Sequence, residues 1–479
     1  MLAPEAKPRI PSPWRIRNDT VHTLVYRCAT DQLSFKVCSP IEASIVPFLG
    51  GEFTREQILE AWGTAVRQAG LVDRPLSPLF DGAYNALSEA GLVGTEGAAS
   101  PSFRDDDGGR LFPNFGAYRR SPRRLQRPIA VNVAMTNRCT CDCVYCYAER
   151  RKVGDASLEQ LRALFDELAA NEVFVVDVVG GDLFTRNDAL AILEEMVQRE
   201  FVFFLSTKSH LSRRQAQRLR ELGIGVPDSP PHLRRIVQVS VDAVDRAMAS
   251  RLTRSAQFAE RTADTVVNLV SAGLAPRVKC VLTGLNHAVA GELVERFAGL
   301  GVKAFQLVQY GRSHYRHRDE LFLSREQKLQ VREAVERLRC SHPELSIEYQ
   351  DVDGDGPMAR KTPEEWQARA LCSGGRISML VQPNGDVTLC DQVPHAAPFV
   401  VGNVFRESMM DVWRSPRLES FLYPERQRFA EAPCATCPDF DRCHDDYGYC
   451  YRDALFHYGS PYDAPPDCPR QHKPPLRAV

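Results

Sequence analysis

The stretch TNRCTCDCVYCYAER, Thr136 to Arg150, decides how this chain is read. Four cysteines, Cys139, Cys141, Cys143 and Cys146, fall within eight residues, directly after the apolar run Ile129 to Met135. That run reads as a strand, so the thiols stand on the loop that follows it. The triplet Cys139-x3-Cys143-x2-Cys146 leaves Cys141 as the spectator. Three thiolates can hold three corners of a [4Fe–4S] cluster, whereas an inert electron-transfer cluster takes four. One iron then stays open, much as catalytic zinc sites keep a position for substrate. A zinc knuckle that recruits Cys141 is the competing reading of these residues alone.

Outward from the loop, 479 residues are too many for one ordinary core and predict two to four domains. The formal charge is -1, from 60 basic and 61 acidic residues, so no global field points to nucleic acid or anionic lipid. Basic residues gather only in YRRSPRRLQRP, Tyr118 to Pro128, beside a Pro/Gly/Asp-rich segment; a solvated linker or an anion patch would both fit. The N-terminus MLAPEAKPRIPSPW lacks the charged-then-apolar order of a signal peptide. No apolar run approaches the roughly 20 residues of a membrane span. A cytoplasmic location is therefore expected, with no membrane partner. In a reducing compartment, 15 cysteines read as metal ligands rather than disulfides.

Four zones follow a short tail, residues 1–17. In residues 18–95, LVYRC and LSFKV alternate like two paired strands, and three amphipathic helices follow, the second capped by Thr54. That order suggests a small winged-helix unit, ahead of a linker over 96–127. Residues 128–312 alternate six strand-like segments (AVNVAM, VFVVDVV, FVFFLST, IVQVSVD, RVKCVLT, AFQLVQY) with amphipathic helices such as Leu158 to Glu172, capped by Ser157. The fold class expected is α/β, a partial (β/α)6 barrel of TIM type, whose sites lie at the C-terminal strand ends where the cysteine loop sits. Residues 313–371 read as a charged helical bridge, and HYRHRD, His314 to Asp319, as a solvated segment. Residues 372–470 hold seven cysteines and little regular structure, so metal is expected to substitute for a core there; a tail closes the chain over 471–479.

The CX3CX2C loop after a first barrel strand, with Tyr145 before the third cysteine, closely resembles the radical S-adenosylmethionine superfamily. The resemblance covers residues 128–312. It implies that Cys139, Cys143 and Cys146 bind a [4Fe–4S] cluster whose open iron is chelated by S-adenosylmethionine, which is then cleaved to a 5′-deoxyadenosyl radical. Gly180-Gly181-Asp182 resembles the family's GGE segment, which meets the methionine amino group, although Asp stands for Glu and Leu183 for the usual proline. Ser206, Ser240 and Asp242 occupy the strand ends where the family contacts ribose and carboxylate. Arg254, in RLTR, resembles the arginine that pairs with the methionine carboxylate.

The spacing Cys372-x17-Cys390, Cys434-x2-Cys437-x5-Cys443-x6-Cys450 and Cys468 resembles the SPASM extension of radical enzymes, which binds two auxiliary clusters. The family's interleaved pattern implies Cys372, Cys390 and Cys450 around one cluster, and Cys434, Cys437, Cys443 and Cys468 around the other. Three clusters are expected in all. Six residues between Cys443 and Cys450, where the family usually has three, and the lack of a further cysteine just upstream of Cys372 depart from the pattern. Structural zinc is the alternative for these sets alone. Asp391 stands where anaerobic sulfatase-maturing enzymes carry a catalytic base. Zone one resembles the element by which ribosomal-peptide maturases capture a leader peptide as an added strand, here beside LSFKV and the third helix; with no basic stripe it does not fit DNA.

Together these resemblances imply a peptide or small-protein maturase that abstracts hydrogen and closes a thioether or carbon–carbon crosslink, served by a flavodoxin- or ferredoxin-type electron donor. Sulfatase-maturase-like oxidation and peptide epimerisation use similar frames. A non-catalytic, metal-dependent peptide-binding protein is the alternative from another class.

Overall fold

The computed structural model describes residues 5–11, 14–19, 23–29, 32–68, 75–95, 124–148, 153–229, 235–311, 316, 318–350, 360–369, 371–445, 448–474 and 476. The chain divides into two compact units, residues 1–127 with 229–234, and residues 128–228 with 235–479.

The smaller unit is an antiparallel sheet of β1 (Arg15–Asn18), β2 (Thr23–Ala29) and β3 (Gln32–Val37), in the order β1-β2-β3, with three helices. LVYRC and LSFKV form the paired strands β2 and β3, with Tyr26 opposite Phe35. Helices span Pro40–Ile45, Arg55–Gln68 and Leu76–Glu89. Ser39 and Glu42 close a reciprocal capping box on the first. Thr54 and Gln57 exchange the same pair of bonds at the start of the second. Trp62 and Phe80 centre the core, and the Trp62 indole donates to Ser44 Oγ at 2.8 Å. Residues read as an N-terminal tail belong to this core: Ile10, Trp14 and Ile16 are buried, and Arg15–Asn18 forms a strand. Prolines spaced among those apolar residues hid the pattern. Most of the expected linker lies outside the described residues, but its end is fixed: Arg127 pairs with buried Asp19 at 2.7 Å, and Arg17 donates to the Arg127 carbonyl at 2.8 Å.

In the larger unit the six expected strands are β4 (Ala130–Ala134), β5 (Val175–Val179), β6 (Phe203–Thr207), β7 (Arg235–Ser240), β8 (Arg277–Leu282) and β9 (Ala304–Gln309). They pair in parallel in chain order, with helices between successive strands. The helix Leu158–Ala170 opens with a Ser157–Gln160 capping box and buries Leu161, Leu164, Phe165 and Leu168. Two further parallel strands extend the sheet. β10 (Ser346–Gln350) follows the helix Arg325–Ser341 and pairs with β9, so the expected bridge is itself a helix–strand unit of the barrel. β11 (Ser378–Val381) pairs with β4 and continues antiparallel through β12 (Asp386–Thr388) and β13 (Gly402–Asn403). The cysteine-rich region is thus stitched into the barrel sheet. Its end is fixed as well: Gln471 is buried and Lys473 pairs with Asp463 at 2.7 Å, where a tail was expected. Among the described residues no helix is long and apolar enough to cross a membrane.

One joint is irregular. Between β5 and β6 the ladder registers only Val178 with Leu205, and the Asp177 carboxylate accepts from the Phe204 amide at 3.2 Å. Burial pushes that carboxyl up to about 6.

Candidate active site

The cysteine loop is seated on the glycine pair that ends β5. Gly181 N–H donates to the Thr136 carbonyl and Asp182 N–H to the Arg138 carbonyl, both at 2.7 Å. Gly180 has φ +93, and a Cβ on Gly181 would lie 2.0 Å from the Arg138 oxygen, so backbone meets backbone with no room for a side chain. The Asp182 carboxylate turns inward. It accepts from Thr207 Oγ1 at 3.0 Å, Lys208 N at 2.8 Å, Ser209 N at 2.9 Å and Phe184 N at 3.1 Å. It locks the turn after β6, and its lone pairs are occupied.

On its other side the loop rests on the helix Arg246–Thr253, through Asp142 N to the Thr253 carbonyl at 3.0 Å and Val144 N to the Leu252 carbonyl at 2.9 Å. Arg254 holds Asp142 at 2.8 Å from a left-handed backbone with φ 55. Arg316 pairs with the other Asp142 oxygen and donates to the Cys143 carbonyl at 3.0 Å. The arginine expected to meet a methionine carboxylate is therefore engaged with the cysteine loop and does not line the cavity described below. Arg316 lies in HYRHRD; His314, Tyr315 and His317 of that segment are outside the described residues.

Asp242 is wholly buried beneath the strand ends. Its Oδ2 takes Lys208 Nζ at 2.5 Å and the Tyr145 hydroxyl, while Oδ1 accepts from Val281 N at 2.9 Å. Burial opposes the charge on Lys208, but Asp242 and Cys143 outweigh it and raise the lysine above its ordinary value. A hydrogen bond between the Cys141 and Cys143 thiols lowers Cys143 and raises Cys141, with Lys208 adding to the first effect. Cys141 thus stays protonated beside a Cys143 thiol poised to ionise.

These elements surround a cavity of about 510 Å³ at the C-terminal strand ends. Cys139, Cys143 and Cys146 line it with Tyr145; Cys141 does not. Gly180, Gly181, Asp182, Ser206 and Ser240 form the rim and wall. The two serine hydroxyls lie 3.1 Å apart, and Gln238 Nε2 donates to Ser206 at 3.0 Å. Asp242 and Arg254 are outside it. Lys208, Gln238, Lys279 and, from the cysteine-rich region, Gln392 and Arg452 are among the further polar residues of the lining. Sequence reasoning missed these five. For Lys279 the signal was its inward phase in the alternating RVKCVL, and for Lys208 its place directly after a strand end.

Residues 133–303 match the radical SAM superfamily, and residues 372–438 match SPASM, an iron–sulfur cluster-binding domain. The chain is a radical SAM enzyme with a SPASM domain. Radical SAM enzymes bind a [4Fe–4S] cluster and S-adenosylmethionine, and the SPASM domain binds further clusters. It is 24% identical over 332 residues to the antilisterial bacteriocin subtilosin biosynthesis protein AlbA of Bacillus subtilis, covering 68% of each chain. It is 25% identical over 373 residues to the mycofactocin maturase MftC of Mycobacterium tuberculosis, covering 74% of this chain and 86% of MftC. The crystal structure of Streptococcus suis SuiB bound to precursor peptide SuiA superposes with a TM-score of 0.66 at 14% identity, covering 97% of this chain and 100% of that one. That likeness is one of fold.

The donors fit the groups the family carries. Cys139, Cys143 and Cys146 present three soft thiols to one cavity and leave a fourth corner open to it. Cys434, Cys437, Cys443 and Cys468, separated by up to 34 positions in sequence, line a single second cavity of about 210 Å³. Arg369 donates to Cys443 Sγ at 2.9 Å and lies over the Trp366 ring at 3.9 Å, so the end of the expected bridge supports this set. Cys372, Cys390 and Cys450 do not line that cavity; Cys372 acts on the charge of Cys390, and Arg452 acts on both Cys390 and Cys450. A Cβ on Gly448 would lie 2.9 Å from Cys372 Cβ, and Cys390 is pushed up to about 12 by burial, with Asp391 and Cys372 adding to it. Arg452 opposes that rise at both Cys390 and Cys450. Asp391, raised by burial, lines a small crevice with Tyr147 and Gly180, outside the main cavity. Among the described residues no three His, Cys, Asp or Glu side chains converge as a single metal ion requires.

Proposed function

We propose that the protein closes an intramolecular crosslink, a thioether or a carbon–carbon bond, in a ribosomally made peptide or small protein subunit. One observation carries this reading: a single cavity joins the three-cysteine loop, the serine pair and a wall drawn from the SPASM domain, so hydrogen removal and electron uptake can share one chamber. The names of AlbA and MftC, and the precursor peptide held by SuiB, support a peptide as the substrate class.

Held by Cys139, Cys143 and Cys146, a [4Fe–4S] cluster with S-adenosylmethionine would supply a hydrogen-abstracting radical through one-electron reduction of the sulfonium. The residues around it do the positioning. Gly180 and Gly181 leave their wall free of side chains for the methionine end, and Ser206 with Ser240 suits ribose hydroxyls. Tyr145, bonded to Asp242, fixes the cysteine loop against β7. A crosslink removes two hydrogens from the substrate: one leaves as an atom, the other as a proton and an electron. Asp391 is the candidate to take the proton on its carboxylate, and the electron would leave toward Cys372, Cys390 and Cys450. Cys434, Cys437, Cys443 and Cys468 would hold the third cluster, facing a flavodoxin- or ferredoxin-type donor. Reduced thiols in these numbers suit the cytoplasm.

Residues 18–95 would recruit the substrate. β3 is an edge strand of its sheet, and Phe35 on it is 38% exposed, which supports capture of a peptide as an added strand.

The test is anaerobic reconstitution followed by dithionite reduction with S-adenosylmethionine and a candidate precursor peptide. Brown protein, 5′-deoxyadenosine and a peptide lighter by two hydrogens are expected. Replacing Cys139, Cys143 and Cys146 by alanine should abolish cleavage, and Cys141→Ala should retain it. Stoichiometric zinc with negligible iron would overturn the reading.

A further inference from the structure

The charges lining the main cavity do not balance. Lys208, Lys279 and Arg452 are basic, and Asp182, whose oxygens are all occupied, is the one acid among the described lining residues. Lys208 is matched by Asp242 and Arg452 by Asp453 at 2.7 Å. The Lys279 backbone carbonyl accepts from Val241 N at 2.7 Å, but its ammonium has no hydrogen bond or ion pair among the described residues, although it lines the cavity. It is the third residue of β8, registered beside Ser240 of β7, and it shares the inward face with Val281. The charged groups around it are Arg277, Lys208, Asp242 and Glu348. Asp242 is bonded to Lys208, Tyr145 and Val281 N, while Glu348 accepts from Gln306 at 3.1 Å and Gln350 at 2.9 Å. Burial, Arg277 and Lys208 all push the Lys279 pKa down. An ammonium kept in such surroundings is complementary to an anion that arrives with a ligand. Arg254 is occupied at Asp142, so it leaves a carboxylate in the cavity unmet.

We propose that Lys279 is a carboxylate-binding residue of the barrel cavity, holding the carboxylate of S-adenosylmethionine or that of an acidic residue in the substrate peptide. Both sources present one chemistry: a planar anion that the ammonium meets beside the Ser240 hydroxyl. The inference rests on reading this cavity as the cofactor and substrate site.

Full-length protein with its clusters reconstituted is titrated calorimetrically with two matched pairs. The first pair is S-adenosylmethionine and decarboxylated S-adenosylmethionine; the second is N-acetylglutamate methylamide and N-acetylglutamine methylamide. Wild type is expected to prefer the carboxylate form of at least one pair by about tenfold or more. In Lys279→Met that preference should fall by about tenfold, and in Lys279→Arg it should return, with iron and sulfide contents at wild-type values. Should Lys279→Met lose iron, the same comparison is made in Lys279→Gln. Loss of preference in the first pair assigns the cofactor, and loss in the second the substrate. A wild type with no preference in either pair, or a neutral variant that keeps every preference, overturns the proposal. Wild-type protein that fails to cleave S-adenosylmethionine would instead overturn the function proposed above.

Discussion

Gly181 and Asp182 divide one task between backbone and side chain. The first lets two chain segments touch, and the second satisfies three donors at the turn after β6 and the Phe184 amide beside itself. Neither reaches toward a ligand with its side chain, so the motif works here as a mount for the cysteine loop. Gly181→Ala would drive a methyl group onto the Arg138 carbonyl, a contact of 2.0 Å that only displacement of the loop can relieve. The expected outcome is selective loss of the cluster proposed for Cys139, Cys143 and Cys146, with the SPASM cysteines still loaded. Iron quantitation and Mössbauer spectra should fall by one cluster in three; full iron content would show that the loop has another support. At this scale the grouping of Cys139, Cys143 and Cys146 on one cavity was legible because their spacing is a local property of sequence. The pairing of Arg254 with Asp142 was not, because it is a tertiary contact across 112 positions.

Among elements, β4 to β9 were readable from apolar runs between amphipathic helices. β10 and β11 were missed for a physical reason: SIEYQ and SMLV are short pieces whose strand character comes from pairing with β9 and β4 rather than from their own pattern. The same dependence on neighbours shows at Asp177, which fills the irregular joint between β5 and β6. Its carboxyl titrates near 3.8 when unfolded and about 6 when folded, because burial penalises the charge. The folded state therefore binds the proton more tightly. Its stability is fully present below the unfolded value and is lost as pH rises through 6, by up to about 3 kcal/mol. Asn keeps an oxygen for the Phe204 amide without the charge. Asp177→Asn should unfold at higher denaturant than wild type at pH 8, and the gap should narrow toward pH 5. A gap that does not change with pH would mean the carboxyl is protonated, or solvated, throughout.

For the whole molecule, the partition into units sets what can be removed. The smaller unit has its own core around Trp62 and Phe80, and Arg127 closes it by pairing with Asp19. Sheet formation in the larger unit begins just beyond, where the Ile129 amide donates to the Ile377 carbonyl at 2.9 Å. A cut after residue 95 would strip Asp19 from Arg127, whereas a cut after residue 127 falls between the two sets of bonds. If the smaller unit recruits peptide, it acts by raising the local concentration of substrate at the larger one. Deleting residues 1–127 should then leave iron content and uncoupled 5′-deoxyadenosine formation near wild type. It should weaken peptide affinity at least tenfold and slow modification at low peptide concentration, with recovery when peptide is raised to millimolar levels. Peptide affinity is measured by fluorescence anisotropy and modification by mass spectrometry. Unchanged affinity would reduce the unit to scaffolding, and loss of iron would show that the barrel depends on it to fold.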